Sequence, residues 1–174
     1  MLVQSRAPNY FIFESRAMQL TATHGRGVPA QYTDIIHLGV NTEEYKPVHK
    51  SSYAHQVLNI QADRKIVFYS GHMEERKGVR VIIKAALLLA EKNKLQGIHF
   101  AICGNKGDEA NTYLKMLEGR PAAGHVTFGG YRDDLPKIMS SSYLGVIAST
   151  GWDSFTMSSI CLLYTSDAAD DDAC

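Results

Sequence analysis

The chain has 174 residues, which is room for one compact domain or for one domain with part of another, so a complete two-domain enzyme is not expected. Apolar residues make up 45% of it and charged residues 21%, a balance that favours a folded core over global disorder. Lys and Arg total 18, as do Asp and Glu, so the formal net charge of zero indicates neither a nucleic-acid partner nor an anionic membrane.

Several other classes of protein are disfavoured by local features. The longest apolar stretch, residues 79–90, contains two basic residues and is too short to cross a bilayer. The N-terminus has no basic segment leading into an apolar one, so a cytoplasmic location is expected. The three cysteines, Cys103, Cys161 and Cys174, have neither the number nor the spacing of a disulfide framework or a zinc site, and no metal is expected.

The first part of the chain predicts the end of one domain. Residues 9–14, with three aromatic residues and an isoleucine, predict a strand; a short helix is predicted over 15–23 and a second strand over 34–38. We expect residues 1–40 to close an earlier domain and to cross over to the next one. Residues 41–64 are expected to be a linker, in which the polar stretch 47–63 predicts a loop or a weak helix.

After Lys65, strands and helices alternate regularly. Strands are predicted over 66–69, 98–103, 125–128 and 144–148, and helices over 79–90, 108–118 and 133–142. The helix over 79–90 has apolar residues at helical spacing along one face. The alternation predicts an α/β domain over 65–160, with a Rossmann-like parallel sheet and flanking helices. Such sheets bind ligands at the carboxyl ends of their strands, so the loops there are the informative ones.

The loop after the first of these strands, residues 70–78, offers an anion site. Gly71 follows the strand, while Arg76 and Lys77 come just before the helix, whose first N–H groups also attract anions. This predicts a phosphate site. The alternative is that both cations are surface charges paired with Glu74 and Glu75, and from this loop alone that alternative is favoured.

The loops after the next two strands are compatible with a ligand or with simple turns. Gly104 and Asn105 begin a tight turn in which Asp108 is expected to cap the following helix. After the third strand, two glycines precede Tyr131 and Arg132; the glycines let a flat ligand approach the backbone, and the tyrosine offers a stacking face. A plain turn with an exposed tyrosine explains the same residues about equally well.

The loop after the fourth strand, residues 149–156, is polar and contains a glycine. Asp153 or Ser154 is expected to be the N-cap of a helix, and the hydroxyls and N–H groups there are suited to a diphosphate, with Asp153 accepting from sugar hydroxyls. An ordinary capping turn is the alternative. The chain has no GxGxxG, GxxxxGK[ST], HExxH or GxSxG motif, so the common dehydrogenase, ATPase, zincin and serine hydrolase classes are not supported.

Four stretches, in order, resemble segments of the retaining glycosyltransferases of the GT-B fold, family four. They are residues 36–47, which resemble a P-x-G-V-D-x-x-x-F-x-P segment; 70–78, which resemble G-R-x-x-x-x-K-G; 128–131, which resemble F-x-G-x; and 150–159, which resemble the start of E-x₇-E. The resemblance covers roughly residues 9–160. It implies an incomplete C-terminal half of a GT-B fold, in which residues 1–40 end the acceptor domain.

The resemblance also implies a function and a set of site residues. The intact enzyme would transfer a sugar from a nucleoside-diphosphate sugar, a UDP- or GDP-sugar, to the hydroxyl of an unknown acceptor with retention and without a metal. Lys77 would stabilise the departing diphosphate and Asp153 would orient the sugar. The donor-binding residues implied are Gly71, His72, Arg76, Gly104, Asn105, Tyr131, Arg132, Ser154, Phe155 and Thr156. A non-catalytic α/β binding module and another GT-B enzyme, such as a sugar epimerase, remain the alternatives.

The chain departs from the family pattern at three places. His72 stands where the family has arginine, Asp153 replaces the first glutamate of E-x₇-E, and the second glutamate would fall at Cys161. Residues 161–174 resemble a translated sequencing-library adapter and predict a non-native tail. Without that tail, residues 1–160 carry a net charge of +4, because its four aspartates have no basic counterpart. We therefore expect this chain to stop inside the donor site and to be inactive as it stands.

Overall fold

The computed structural model describes residues 8–46, 51–151, 153 and 156–165. The chain forms two compact units. Of the described residues, the smaller unit comprises 8–39, 153, 156 and 157, and the larger unit comprises 40–46, 51–151 and 158–165.

The smaller unit contains two short parallel strands and one helix. Strand β1 (Phe11–Phe13) pairs with β2 (Thr33–Ile35), and helix α1 (Arg16–Gly25) connects them. Ser15 starts the helix by accepting a hydrogen bond from the N–H of Met18 at 3.3 Å. The second strand was predicted over 34–38 but ends at Ile35, because β1 has only three residues and its last one, Phe13, pairs with Ile35.

The larger unit is a four-stranded parallel sheet with helices on both faces. Its elements, in chain order, are α2 (Tyr53–Val57), β3 (Lys65–Ser70), α3 (Val79–Glu91), β4 (Ile98–Cys103), α4 (Asn111–Leu117), β5 (Val126–Gly130), α5 (Leu135–Ser140), β6 (Leu144–Gly145) and, from Ser158 onward, α6 (Met157–Thr165). The spatial order of the strands is β5-β4-β3-β6, and every neighbouring pair is parallel. The predicted α/β class and parallel sheet are confirmed.

Alternating side chains divide the core between the two faces of the sheet. On β3, Ile66 and Phe68 face one core, while Tyr69 faces the other together with the apolar side of α3. That side is formed by Val79, Ile82, Ile83 and Ala86, all buried, as the helical spacing predicted. Because both faces are covered, the strands read as nearly continuous apolar runs.

Two local predictions need correction. Asp108 does not cap α4: the helix begins after Ala110 with no side-chain cap, and Glu109 Oε2 instead accepts from the N–H groups of Lys106 and Gly107 at 3.0 and 2.8 Å. The stretch 41–64 contains the short helix α2, which lies within the part expected to form a loop or a weak helix. The last strand has two residues rather than five, although the N–H of Val146 still donates to Phe68 at 2.8 Å.

Among the described residues, no helix is long and apolar enough to span a membrane. The same part of the chain contains no group of three or more His, Cys, Asp or Glu side chains arranged to hold a metal ion.

Candidate functional site at the carboxyl ends of the strands

The loops that follow β3, β4 and β5 are joined by backbone hydrogen bonds at one edge of the sheet. The N–H of Gly71 donates to Cys103 at 3.1 Å, and the N–H of Gly104 donates to Gly130 at 2.8 Å. Gly104 has a φ of +117°, and a Cβ there would overlap the backbone of Gly71. The strand ends therefore meet closely enough for their loops to form one surface.

The loop from Gly71 to Gly78 leads directly into α3. Its last part, Glu75–Lys77, is a 3₁₀ turn, and Gly78 then takes a left-handed conformation with a φ of +78°. No side chain caps α3, and the N–H of Val81 donates to the carbonyl of Gly78 at 2.9 Å, so the first N–H groups of the helix, those of Val79 and Arg80, are the candidate anion donors. A Cβ on Gly78 would overlap the carbonyl oxygen of Ala148, which makes glycine necessary at this position.

The segment after β6 contacts this loop. The N–H groups of Thr150 and Gly151 donate to the carbonyl of Arg76 at 2.8 and 3.4 Å. Farther along the chain, Ser158 Oγ donates to the carbonyl of Ser70 at 3.0 Å. The loops after β3 and β6 are thus held together, as the ends of adjacent parallel strands should be.

The charges of the loop are partly paired with one another. Arg76 Nε lies 2.8 Å from Glu74 Oε2, so the surface pairing weighed for Arg76 is present. Glu75 instead pairs with Arg80 Nε at 2.7 Å, and this hydrogen bond lowers the pKa of Glu75. The alternative in which Lys77 pairs with the carboxylate of Glu75 is therefore not observed. Lys77 itself is half-buried just before α3.

A second part of the edge lies around Asn105 and Tyr131. An open cavity of about 650 Å³ is lined there by Asn105, Lys106, Gly107, Gly130 and Tyr131. The Nζ of Lys106 lies 4.6 Å from the centre of the Tyr131 ring, and that ring is 63% exposed. Asn105 Oδ1 is a buried acceptor with no hydrogen-bond partner among the described residues. This cavity combines a stacking face with an acceptor that a ligand N–H or O–H would satisfy.

The guanidinium of Arg132 makes its hydrogen bonds to a residue outside the lining of this cavity. Its Nε and one terminal nitrogen each donate to Asp134 at 2.6 Å, and Tyr53 Oη donates to the same carboxylate at 2.6 Å. The hydrogen bond from Arg132 is the main cause that lowers the pKa of Asp134 to about 2. The role of Arg132 beside the nucleotide base thus remains a prediction, and its guanidinium has a structural partner.

Four of the site residues implied by the resemblance follow β6. Asp153 and Thr156 belong to the smaller unit, whereas Ser154 and Phe155 lie outside the described residues. The helix α6 begins at Met157, and because Ser154 lies outside the described residues, the expectation that Asp153 or Ser154 caps it stays a prediction. The proposed contacts of these four residues with the donor remain predictions.

Sequence reasoning missed several residues of this edge. Lys106 was not singled out, although a lysine between two glycines after a buried strand was a usable signal. Tyr69 and Tyr113 were read as parts of a strand and a helix, yet both hydroxyls reach the loop from Gly71 to Gly78. The signal for Tyr69 was a phenol at the end of an otherwise apolar strand, since a buried hydroxyl needs a partner.

A parallel sheet covered on both faces, with anion donors and a stacking face at its carboxyl edge, is the architecture of a nucleotide-binding domain. The family Glycosyl transferases group 1 matches residues 52–160, and the chain belongs to this family. A Bacillus subtilis (strain 168) protein named as a glycosyltransferase, EpsD, is 28% identical over 124 residues, which cover 70% of this chain and 32% of EpsD.

Solved structures show the same fold. HepE of Anabaena, in its complex with UDP-glucose, superposes with a TM-score of 0.78 at 22% identity, over 91% of this chain and 43% of HepE. A glycosyltransferase from Rickettsia africae ESF-5 superposes with a TM-score of 0.77 at 14% identity, over 90% of this chain and 42% of that protein. The chain thus spans a third of the curated relative and less than half of these structures, and it has the GT-B type of α/β fold.

Proposed function

We propose that the protein of which this chain is a part transfers a hexosyl group from a nucleoside-diphosphate sugar to an acceptor hydroxyl with retention, in the cytoplasm, and that the larger unit holds the donor. The observation that carries the proposal is the loop from Gly71 to Gly78, which places Lys77 directly before the uncapped start of α3. Cationic side chains and helix-start N–H groups together favour a diphosphate.

The chemical role of the loop is to stabilise the leaving group. As the bond between the sugar and the diphosphate breaks, negative charge grows on the diphosphate, and Lys77 with the first N–H groups of α3 would stabilise it. Arg76 would add positive charge, reduced by its pair with Glu74. Because these groups supply a positive field, we propose that the transfer needs no metal. His72, exposed in the same loop, would add a ring N–H donor.

The nucleoside would lie toward the cavity beside Tyr131. Its ring offers a stacking face for a base, and Asn105 Oδ1 offers an acceptor. HepE binds UDP-glucose, which supports UDP as the nucleotide. Asp153, with Ser154, Phe155 and Thr156, would hold the sugar and the diphosphate from the segment after β6, as the family resemblance implies.

Calorimetric titration of the 174-residue chain with UDP, GDP and ADP tests this proposal. We expect one of them to bind, and we expect Lys77→Ala to weaken that binding by about tenfold to a hundredfold, because a charge-assisted contact to phosphate is lost. The matched control is Lys84→Ala, which removes an exposed lysine of α3 away from its start. A folded chain that binds none of the three nucleotides would favour a non-catalytic binding module. Equal binding by the Lys77→Ala variant would refute the role of this loop.

A further inference from the structure

Two buried tyrosine hydroxyls contact the loop from Gly71 to Gly78 from its protein side. Tyr69, next to last in β3, is 4% exposed, and Tyr113, on α4, is 3% exposed. A buried phenol O–H must find an acceptor, because an unpaired one costs free energy. Both tyrosines find their acceptors among the carbonyl groups of this one loop.

Tyr69 reaches both halves of the loop. Its Oη donates to the carbonyl of His72 at 3.1 Å and lies 3.4 Å from the carbonyl of Lys77. The phenol passes beneath Gly71, where a Cβ would lie 2.7 Å from Oη. The hydroxyl therefore lies between the two halves of the loop, where it sets the separation between the carbonyl groups of His72 and Lys77.

Tyr113 fixes the next carbonyl along the chain. Its Oη donates to Met73 at 2.9 Å. Its ring is stacked against Phe128 with centroids 6.2 Å apart, and the guanidinium of Arg80 lies 5.9 Å from the ring centroid. Arg80 in turn pairs with Glu75 of the loop. The tyrosine is thus held by packing on one side and by a charged contact on another, which leaves its hydroxyl little freedom.

These bonds dictate where the N–H groups of the loop point. In a trans peptide the C=O and the N–H point in opposite directions, and the described residues contain no cis bond. The carbonyls of His72 and Met73 point inward to the two hydroxyls. The N–H groups of the same two peptides, which belong to Met73 and Glu74, therefore point away from the core.

We propose that Tyr69 and Tyr113 are positioning residues that hold this loop so that the N–H groups of Met73 and Glu74 bind the donor diphosphate. The inference rests on the proposed function and deepens it.

The test compares binding of UDP with binding of uridine, so that the contribution of the diphosphate is isolated. We expect Tyr69→Phe and Tyr113→Phe each to raise the Kd for UDP about fivefold, the effect of one lost hydrogen bond, and to leave the Kd for uridine unchanged. Tyr143→Phe, at an exposed tyrosine outside the loop, is the matched control and should change neither. A merely structural role would lower thermal stability without changing the ratio of the two Kd values, and that result would overturn the inference.

A measurement on the unaltered chain covers the case in which a phenylalanine variant does not fold. In a ¹H–¹⁵N NMR titration, we expect UDP, but not uridine, to shift the amide resonances of Met73 and Glu74. Unmoved resonances at saturating UDP would overturn the inference. If UDP does not bind, or if Lys77→Ala leaves its binding intact, the proposed function fails instead. If Lys77→Ala weakens UDP binding while the two phenylalanine variants do not, only the role of the tyrosines is refuted.

Discussion

At the scale of single residues, His99 shows how the larger unit depends on a neutral imidazole. His99 is 5% exposed near the start of β4, at the opposite edge of the sheet from the candidate site. Its Nδ1 lies 3.2 Å from a guanidinium nitrogen of Arg64, and its Nε2 lies 2.8 Å from Thr127 Oγ1. Burial first, then the charges of Arg64, His125 and His55, lower the pKa of His99 from 6.5 to about 4.

This shift predicts a loss of stability on mild acidification. The unfolded chain binds the proton at a higher pH than the folded chain does, so the free energy of unfolding should fall as the pH drops from 6.5 toward 4. We expect His99 to contribute about 1–2 kcal/mol to the difference in the free energy of unfolding between pH 7 and pH 5. This figure is reduced to allow for solvent screening. Urea unfolding followed by circular dichroism at both pH values measures it.

The variant that isolates this effect is His99→Gln, whose amide can still contact Thr127 but does not titrate. Its free energy of unfolding should change less between pH 7 and pH 5 than that of the unaltered chain. His24→Gln, at an exposed position of α1, is the control and should retain the full change. If His99→Gln also retained it, another group would be responsible for the acid sensitivity.

The site residues that the sequence could predict are those with a local signal. Gly71, Arg76 and Lys77 lie between a strand and a helix, so their place at the carboxyl edge follows from the alternation of elements. Lys106 and Tyr131 are different, because they lie on separate loops that become neighbours only through the order of β4 and β5 in the sheet. No spacing along the chain shows that contact.

At the scale of elements, Asp134 connects three parts of the larger unit. It stands immediately before α5, and its carboxylate accepts from Arg132, after β5, and from Tyr53, in α2. The side chain makes no capping hydrogen bond to α5 itself. The two side chains of the ion pair are each 23% exposed, so this pair is better shielded from water than a pair at the surface.

We expect Asp134→Asn to destabilise the chain by about 1–2 kcal/mol at neutral pH, because the bidentate, charge-assisted contact with Arg132 is lost. The low pKa of Asp134 means that this stabilisation is present above pH 3.8 and is lost as the pH falls toward 2. Thermal unfolding of the variant at pH 7 measures the effect. Asp133→Asn, at the exposed neighbouring residue, should leave the midpoint nearly unchanged; equal losses from both would show that the contact with Arg132 is not the cause.

The elements were predictable where a long pattern existed. The helix over 79–90 and the strand over 98–103 were predicted within one residue, because an apolar helical face and a buried strand leave clear patterns. The ends of β2 and β6 were not, because the length of a pairing depends on the partner strand. The capping prediction for Asp108 failed because Asp108 lies inside a 3₁₀ turn, Asp108–Ala110, and α4 begins only at Asn111.

At the scale of the whole molecule, the chain contains a larger α/β unit, where most of the family match lies, and a second, smaller unit. The adapter-like identity of residues 161–174 and the glutamate expected at position 161 remain predictions. In the structure, α6 continues from Met157 through Thr165, and Cys161 is 6% exposed. Tyr45 contacts that cysteine, and burial, followed by the cysteine, raises the pKa of Tyr45 to about 12.

The central claim is that the diphosphate of an activated sugar binds at the loop from Gly71 to Gly78. A crystal structure of the chain with UDP tests this claim most directly. The account predicts phosphate oxygens about 3 Å from Lys77 Nζ and from the N–H groups of Met73 and Glu74, with uracil against the Tyr131 ring. UDP bound at any other surface, with that loop making no contact to phosphate, would contradict it.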